Sequence, residues 1–232
     1  AQDTHWTPAG AAIAAGEVAR RLQQLNWAPS PNREYRTLRV RVARRGDVLE
    51  MLRAHGLAGL ASEEVVHCEQ VLDPSAGLMV PGGGRPSGTY SNDHLRDTAS
   101  QASVLVLGDS FCRIYQTPEP RSLGRVLAGN AATRPVSSAR GVVTRKLLPG
   151  SAGFCSLLAR ELGAAVDYVY SDGGAATAVR MKLSTNAEIL ENKRVVVWEF
   201  AERDLGLGGE GWQDVPLPAD LTSRAPASRP CR

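Results

Sequence analysis

Two short stretches of this chain carry residue types suited to nucleophilic catalysis. Near the start, Asp3-Thr4-His5 sets a carboxylate and an imidazole one residue apart, just ahead of Thr7-Pro8. Farther on, Gly108-Asp109-Ser110 closes the apolar run of Val104, Leu105, Val106 and Leu107. A serine hydroxyl is a weak nucleophile and needs a base to take its proton. An imidazole serves when a carboxylate fixes its tautomer and stabilises its cation. Between them the two stretches supply nucleophile, base and orienter. Taken singly, each has a plainer reading. Gly-Asp-Ser is common in turns, Asp3 suits a helix N-terminus by its charge alone, and Asp109 reads as a turn former rather than an acid.

The elements around these residues must bring them together. Thr7 is an N-cap and Pro8 a first helical residue. They open an Ala-rich helix, PAGAAIAAGEVARRLQQL, that ends near Asn26. REYRTLRVRV alternates, with Leu38, Val40 and Val42 on one face and Arg39 and Arg41 on the other, as a half-buried strand does. GDVLEMLRAHG predicts a short helix with a glycine stop, and EEVVHCEQVL a strand. Residues 73–101, rich in Gly, Pro, Ser and Asp, predict a long flexible loop. SVLVLG is apolar on both faces, the mark of a buried parallel strand. SLGRVLA, GFCSLLARELG and AATAVRMKLSTNAEILE predict helices. VDYVY, broken by SDGG, and KRVVVWEF predict two further strands. Strands alternating with helices predict an α/β fold with a mainly parallel sheet. Ligands of such sheets bind beyond the C-terminal strand ends, where Ser110 falls. Residues 1–205 are expected to form one domain, and 206–232 an irregular tail with no core of its own.

Composition narrows the function classes. At 232 residues the chain can bury a substantial core. Its 27 basic and 24 acidic side chains give a net charge of +3, too balanced for a nucleic-acid binder or a polybasic membrane anchor. No apolar run reaches the ~18 residues of a membrane-spanning helix. Cys68, Cys112, Cys155 and Cys231 lack metal-site spacing, and their even number permits two disulfides in an oxidising compartment. His55, His67 and His94 have no partner spacing either. No metal or cofactor motif is present. One stretch is locally basic, with Arg33, Arg36, Arg39, Arg41, Arg44 and Arg45. Charge of this kind protects a strand edge from pairing, and it would also attract an anionic polymer.

Block order carries further information. Here Asp-x-His leads and Gly-Asp-Ser follows, the reverse of the usual GDSL/SGNH hydrolases. The inverted order and one-residue spacer resemble the SGNH-like alginate O-acetyltransferases of the J and X type, with their cellulose-modifying relatives. DTHWTPAG, VLVLGDSFCRIYQ, GFCSLLARELGAAVDYVYSDGGAATAVR and KRVVVWEFAERDL carry the resemblance, which spans about residues 1–205. It implies an SGNH-hydrolase-like three-layer sandwich with permuted motif order. It makes Ser110 the nucleophile, His5 the base and Asp3 its orienter. Oxyanion donors would come from the Ser110 backbone N–H and the Gly173-Gly174 turn, which serves equally as a plain turn. Arg113 and Tyr115 would line the site, with core packing the alternative for Tyr115. Trp6 reads as a wall for a sugar ring or as a buried staple. Trp198, Glu199 and Arg203 match the closing block, with Glu199 expected to pair with an arginine.

The resemblance also implies a reaction. Ser110 would take an acetyl group, supplied by a membrane acyltransferase, and pass it to hydroxyls of a polysaccharide in the periplasm, peripheral to the inner membrane. No cofactor is needed. With water as acceptor the same residues make a carbohydrate acetyl esterase. A non-catalytic or truncated module that binds polysaccharide or a partner protein is the third reading. Family members carry an anchor or signal and a core strand ahead of Asp-x-His, so an N-terminally incomplete domain is expected. With only 206–232 after the closing strand, no carbohydrate-binding domain is expected there, an arrangement that resembles the J type.

Overall fold

The computed structural model describes residues 3–57, 63–72, 102–117, 124–126, 151–172, 174, 176–185, 187–206 and 212–216. The loop expected over 73–101 lies outside them, as do Gly173, His94 and Cys231.

A three-stranded parallel sheet, in the order β5-β3-β6, holds the centre. Its strands are β3 (Val104–Gly108), β5 (Val166–Tyr170) and β6 (Val195–Trp198). β3 is buried throughout because it is paired on both sides and covered on both faces. Val104 and Val106 face one helical layer; Leu105 and Leu107 face the other. The first layer is α1 (Pro8–Gln24) and α4 (Phe154–Leu162). α1 presents Ala11, Ala15, Ala19 and Leu22 at helical spacing, and small side chains let it lie close against Leu158 and Leu162. The second layer is α5 (Thr177–Thr185) and a 3-10 turn over Ala187–Leu190, with Val179 and Leu183 on Leu105 and Leu107. The expected α/β sandwich with a parallel sheet is therefore present.

Beside it stands a second sheet, antiparallel, in the order β2-β1-β4. β1 is Arg36–Arg44, β2 is Glu64–Leu72 and β4 is Gly124–Val126. Two expectations are corrected here. SLGRVLA was expected to be helical, but Gly124–Val126 pairs as a strand with residues 42–44 of β1. Ladder bonds to the open side of β1 outweigh the weak local helical pattern. β1 itself is not an edge, since it pairs with β2 along its whole length and with β4 at its end. Val40, Val42, Val66 and Cys68 pack on Ile114 and Tyr115, the residues that follow the nucleophile turn.

Short connectors complete the site's frame. α2 (Asp47–Ala54) follows β1, α3 (Ser110–Arg113) follows β3 and α6 (Arg203–Gly206) follows β6. After α3 the chain is anchored to α4. The buried Gln116 amide donates to Ser156 Oγ at 2.9 Å and accepts from the Ser156 N–H at 2.9 Å. Residues 212–216 have no helix or strand, yet Trp212 packs on Trp198 and Phe200, and its Nε1 donates to the Asp204 carbonyl at 2.7 Å.

Candidate active site

Asp3 and His5 meet through a tight local turn. Asp3 Oδ1 accepts the His5 backbone N–H at 3.0 Å and lies 2.6 Å from His5 Nδ1. The spacer, Thr4, ties the turn to α2. Its N–H donates to Asp47 Oδ1 at 2.8 Å and its hydroxyl to Asp47 Oδ2. The one-residue spacing thus does two jobs: it brings carboxylate and imidazole together and leaves the spacer to anchor the turn on Asp47, whose Oδ2 itself lies 3.6 Å from His5 Nδ1. The His5 ring rests on Phe111, with centroids 4.9 Å apart.

The second Asp3 oxygen accepts from Arg44 Nη1. Arg44 also donates to the Tyr115 hydroxyl at 3.2 Å, and its guanidinium lies over that ring at 5.1 Å from the centroid. It is 6% exposed. Reading Arg44 as part of a solvated basic stretch is corrected by this placement. Period two puts it on the same face as Val40 and Val42, and that face is inward. Burial raises the Asp3 pKa, but hydrogen bonds from the His5 ring and backbone and the charges of Arg44 and His5 outweigh it. The net effect holds the Asp3 carboxyl well below the usual carboxylate range. Burial pushes the Tyr115 phenol up despite the Arg44 charge, so it stays protonated.

The serine comes from the parallel sheet. At the C-terminal end of β3 the Ser171 N–H donates to the Gly108 carbonyl at 3.0 Å, and the Asp109 N–H to Glu199 Oε2 at 3.1 Å. Asp109 then caps α3, accepting the Phe111 N–H at 2.7 Å, as expected of a turn former. Held this way, Ser110 Oγ stands 2.8 Å from His5 Nε2. With Nδ1–H directed at the carboxylate, Nε2 is left as the acceptor of a hydrogen bond from the serine hydroxyl. Arg44, Asp3, His5 and Ser110 form one hydrogen-bonded chain, drawn from three separate places in the sequence. The Ser110 N–H is the first of a helical turn and donates to no group among the described residues, which leaves it available to an oxyanion.

Other expected site residues fall elsewhere. Gly174 has φ +111° and its N–H donates to the Ser171 carbonyl at 3.1 Å, so it shapes a turn and its donor is engaged. Arg113 Nε donates to Asp172 Oδ1 at 2.6 Å, bracing that turn against α3. Tyr115 is a core residue, 6% exposed, that also anchors Arg44. Trp6 packs edge-on against Phe111 and stacks on Phe154, a staple between the cores rather than an open wall. Glu199 does not pair with an arginine among the described residues; the Asp109 N–H occupies it. Trp198 lies on the far face with Phe200 and Trp212, and Arg203 is exposed. Cys68, Cys112 and Cys155 are buried and in no disulfide. His55 and His67 are exposed. Donor atoms of Asp3, His5 and Asp47 lie within 4.8 Å of one another, close enough for a cation. A metal bound there would have to displace the His5–Asp3 hydrogen bond and lie beside the Arg44 charge.

Residues 1–132 match the family model for the SGNH hydrolase-like domain of acetyltransferase AlgX. Among solved structures, the fold is similar to the O-acetyltransferase domain of Pseudomonas putida AlgJ, with a TM-score of 0.53 and 19% identity over 89% of this chain and 53% of that one. Pseudomonas aeruginosa AlgX gives a TM-score of 0.49 and 20% identity over 86% of this chain and 36% of that one. At 19% identity the likeness to the AlgJ domain concerns the fold alone. This chain spans about half the length of the AlgJ domain, 53%. No curated protein matches the sequence.

Proposed function

The chain belongs to the SGNH hydrolase-like acetyltransferase family of AlgX, and from that premise we propose that it carries an acetyl group on Ser110 and passes it to hydroxyls of an exopolysaccharide such as alginate. One observation carries the reading: the unbroken chain from Asp3 through His5 to Ser110, with Arg44 behind it. In the first step Ser110 Oγ attacks the donor's acetyl carbonyl and His5 Nε2 takes the hydroxyl proton. Asp3 stays ionised and stabilises the imidazolium. The oxyanion meets the Ser110 N–H, and collapse expels the donor's leaving group, which takes the proton back from His5. In the second step a sugar hydroxyl gives its proton to His5, attacks the acetyl-serine and leaves as the acetyl ester, restoring Ser110. The reaction is placed in the periplasm, with the acetyl donor supplied by a membrane acyltransferase. No helix among the described residues is long and apolar enough to cross a membrane.

Intact mass after brief exposure to an activated acetyl ester tests this. Wild type gains one acetyl group at Ser110, and both Ser110→Ala and His5→Ala lose it. Adding mannuronate oligomers then discharges the acetyl group onto sugar. Discharge to free acetate without an acceptor would mark an acetyl esterase instead. A folded wild type that takes no acetyl group would overturn the acyl-serine reading and leave a binding module.

A further inference from the structure

Glu199 grips the end of β3 in two ways. Its main-chain N–H donates to the Leu107 carbonyl at 2.8 Å, continuing the β3–β6 ladder one step. Its Oε2 accepts the Asp109 N–H at 3.1 Å, standing in for the next main-chain acceptor where β6 has turned away. Gly108 makes this reach possible. A Cβ there would strike Cys112 Sγ and fall 2.8 Å from Glu199 Oε2.

Among the described residues the surroundings hold two acids and no cation. Asp109 is 2% exposed; its Oδ1 caps α3, and its Oδ2 is buried with no hydrogen-bond donor among the described residues. The titratable groups facing Glu199 are Asp109, from the turn after β3, and Cys112, from α3. The Cys112 thiol in turn abuts Cys155 of α4. Neither carboxyl is paired with a basic side chain among the described residues. Burial, and then the Asp109 charge, push the Glu199 carboxyl up to about 7.

We propose that Glu199 is a positioning residue for the nucleophile: neutral, it donates its proton in a hydrogen bond to Asp109 Oδ2 and holds the turn that presents Ser110. A neutral carboxyl has one O–H to give, and Asp109 Oδ2 is the buried acceptor that lacks a donor. Once the Glu199 proton leaves to solvent, both groups only accept, and two negative charges share one apolar pocket. The turn then loosens and Ser110 drifts from His5 Nε2. This inference rests on the acyl-serine reading above, and its test has one arm that does not.

That arm is thermal unfolding of wild type and Glu199→Gln across pH. Between the ordinary value of 4.5 and about 7, folded Glu199 binds more protons than unfolded Glu199. Stability from this group is therefore full at acid pH and is lost as pH rises through about 7. Wild-type Tm should fall relative to Glu199→Gln over that window, because an amide cannot ionise. The second arm is the pH profile of Ser110 acetylation. Wild type should slow above about pH 7; Glu199→Gln should keep acetylation without that decline, and Glu199→Ala should be slow throughout. Tm curves that run parallel, or superimposable rate profiles, would overturn the proposal. If wild type takes no acetyl group, the acyl-serine reading fails and the Tm arm still judges Glu199. Should Glu199→Gln not fold, Asp109→Asn serves: removing the second charge must move the Tm loss to lower pH, and an unmoved loss refutes the pairing.

Discussion

The two halves of the candidate site handle buried carboxyl groups in opposite ways. Asp3 is met by Arg44, by the His5 ring and by a backbone N–H, and its proton is driven off. Asp109 and Glu199 each accept a backbone N–H and face each other, with the Cys112 thiol and no cation beside Glu199 among the described residues, and burial and the Asp109 charge push the Glu199 carboxyl up to about 7. Asp3 belongs to an arm held to its neighbours mainly by side chains. Ser110 sits on a turn gripped by main-chain bonds from both flanking strands, with a glycine that lets the grip close. The difference fits the proposed roles. A carboxylate that must steady an imidazolium needs its charge, whereas a carboxyl that shapes a turn needs a donor.

The largest effects should come from cutting the shared chain. Ser110→Ala and His5→Ala should each lower acetyl transfer by on the order of 10^4-fold or more, measured by single-turnover transfer, with folding unchanged by circular dichroism. Next comes Arg44→Leu. Removing one partner of a buried pair strands the other charge, at about 3–5 kcal/mol by denaturant unfolding. Adding Asp3→Asn should recover part of that loss, because the orphaned charge goes too. A double variant no better than the single would mean that Arg44 acts by packing on Tyr115 alone.

The sequence made one half plainer than the other. β3 was readable because a strand buried on both faces leaves an uninterrupted apolar run, and its end placed Ser110. Asp3-x-His5 was readable by residue type and spacing. Arg44 was within reach: extending Leu38, Val40 and Val42 by one more step of two lands on it. Grouping it with its neighbouring arginines by charge hid the period. β4 was not readable, since three residues held by the open side of β1 leave no pattern of their own. The partner of Glu199 was hidden for a different reason. A charge in a sequence suggests a counter-charge, but what decides here is a close approach allowed by a missing Cβ at Gly108, and spacing does not report that.

Opposite protonation predicts opposite pH limbs. Asp3 contributes stability above its ordinary value of 3.8, and that stability is lost as pH falls through its lowered folded value. Asp3→Asn should therefore flatten the acid side of the stability curve and leave the decline near pH 7 in place. If Asp3→Asn also removed the neutral-pH decline, the halves would be one coupled unit. Gly108→Ala comes next. Its methyl must displace Cys112 or Glu199, at about 1–3 kcal/mol, and it should weaken the Glu199 decline because the acid no longer reaches the Asp109 N–H. Unfolding curves across pH read both changes.

The smallest expected effect probes the arm's outer tether. Thr4 is exposed and holds Asp47 by its N–H and its hydroxyl. Thr4→Val removes only the hydroxyl bond and keeps the branched shape. A single exposed hydrogen bond contributes about 0.5–1.5 kcal/mol, and the acetylation rate should fall by no more than a few-fold. Asp3 would still face Arg44, and His5 would still face Ser110. A loss equal to that of Arg44→Leu would reverse the ranking. The arm would then hang from α2 through Thr4, with Arg44 serving only to neutralise a carboxylate already in place.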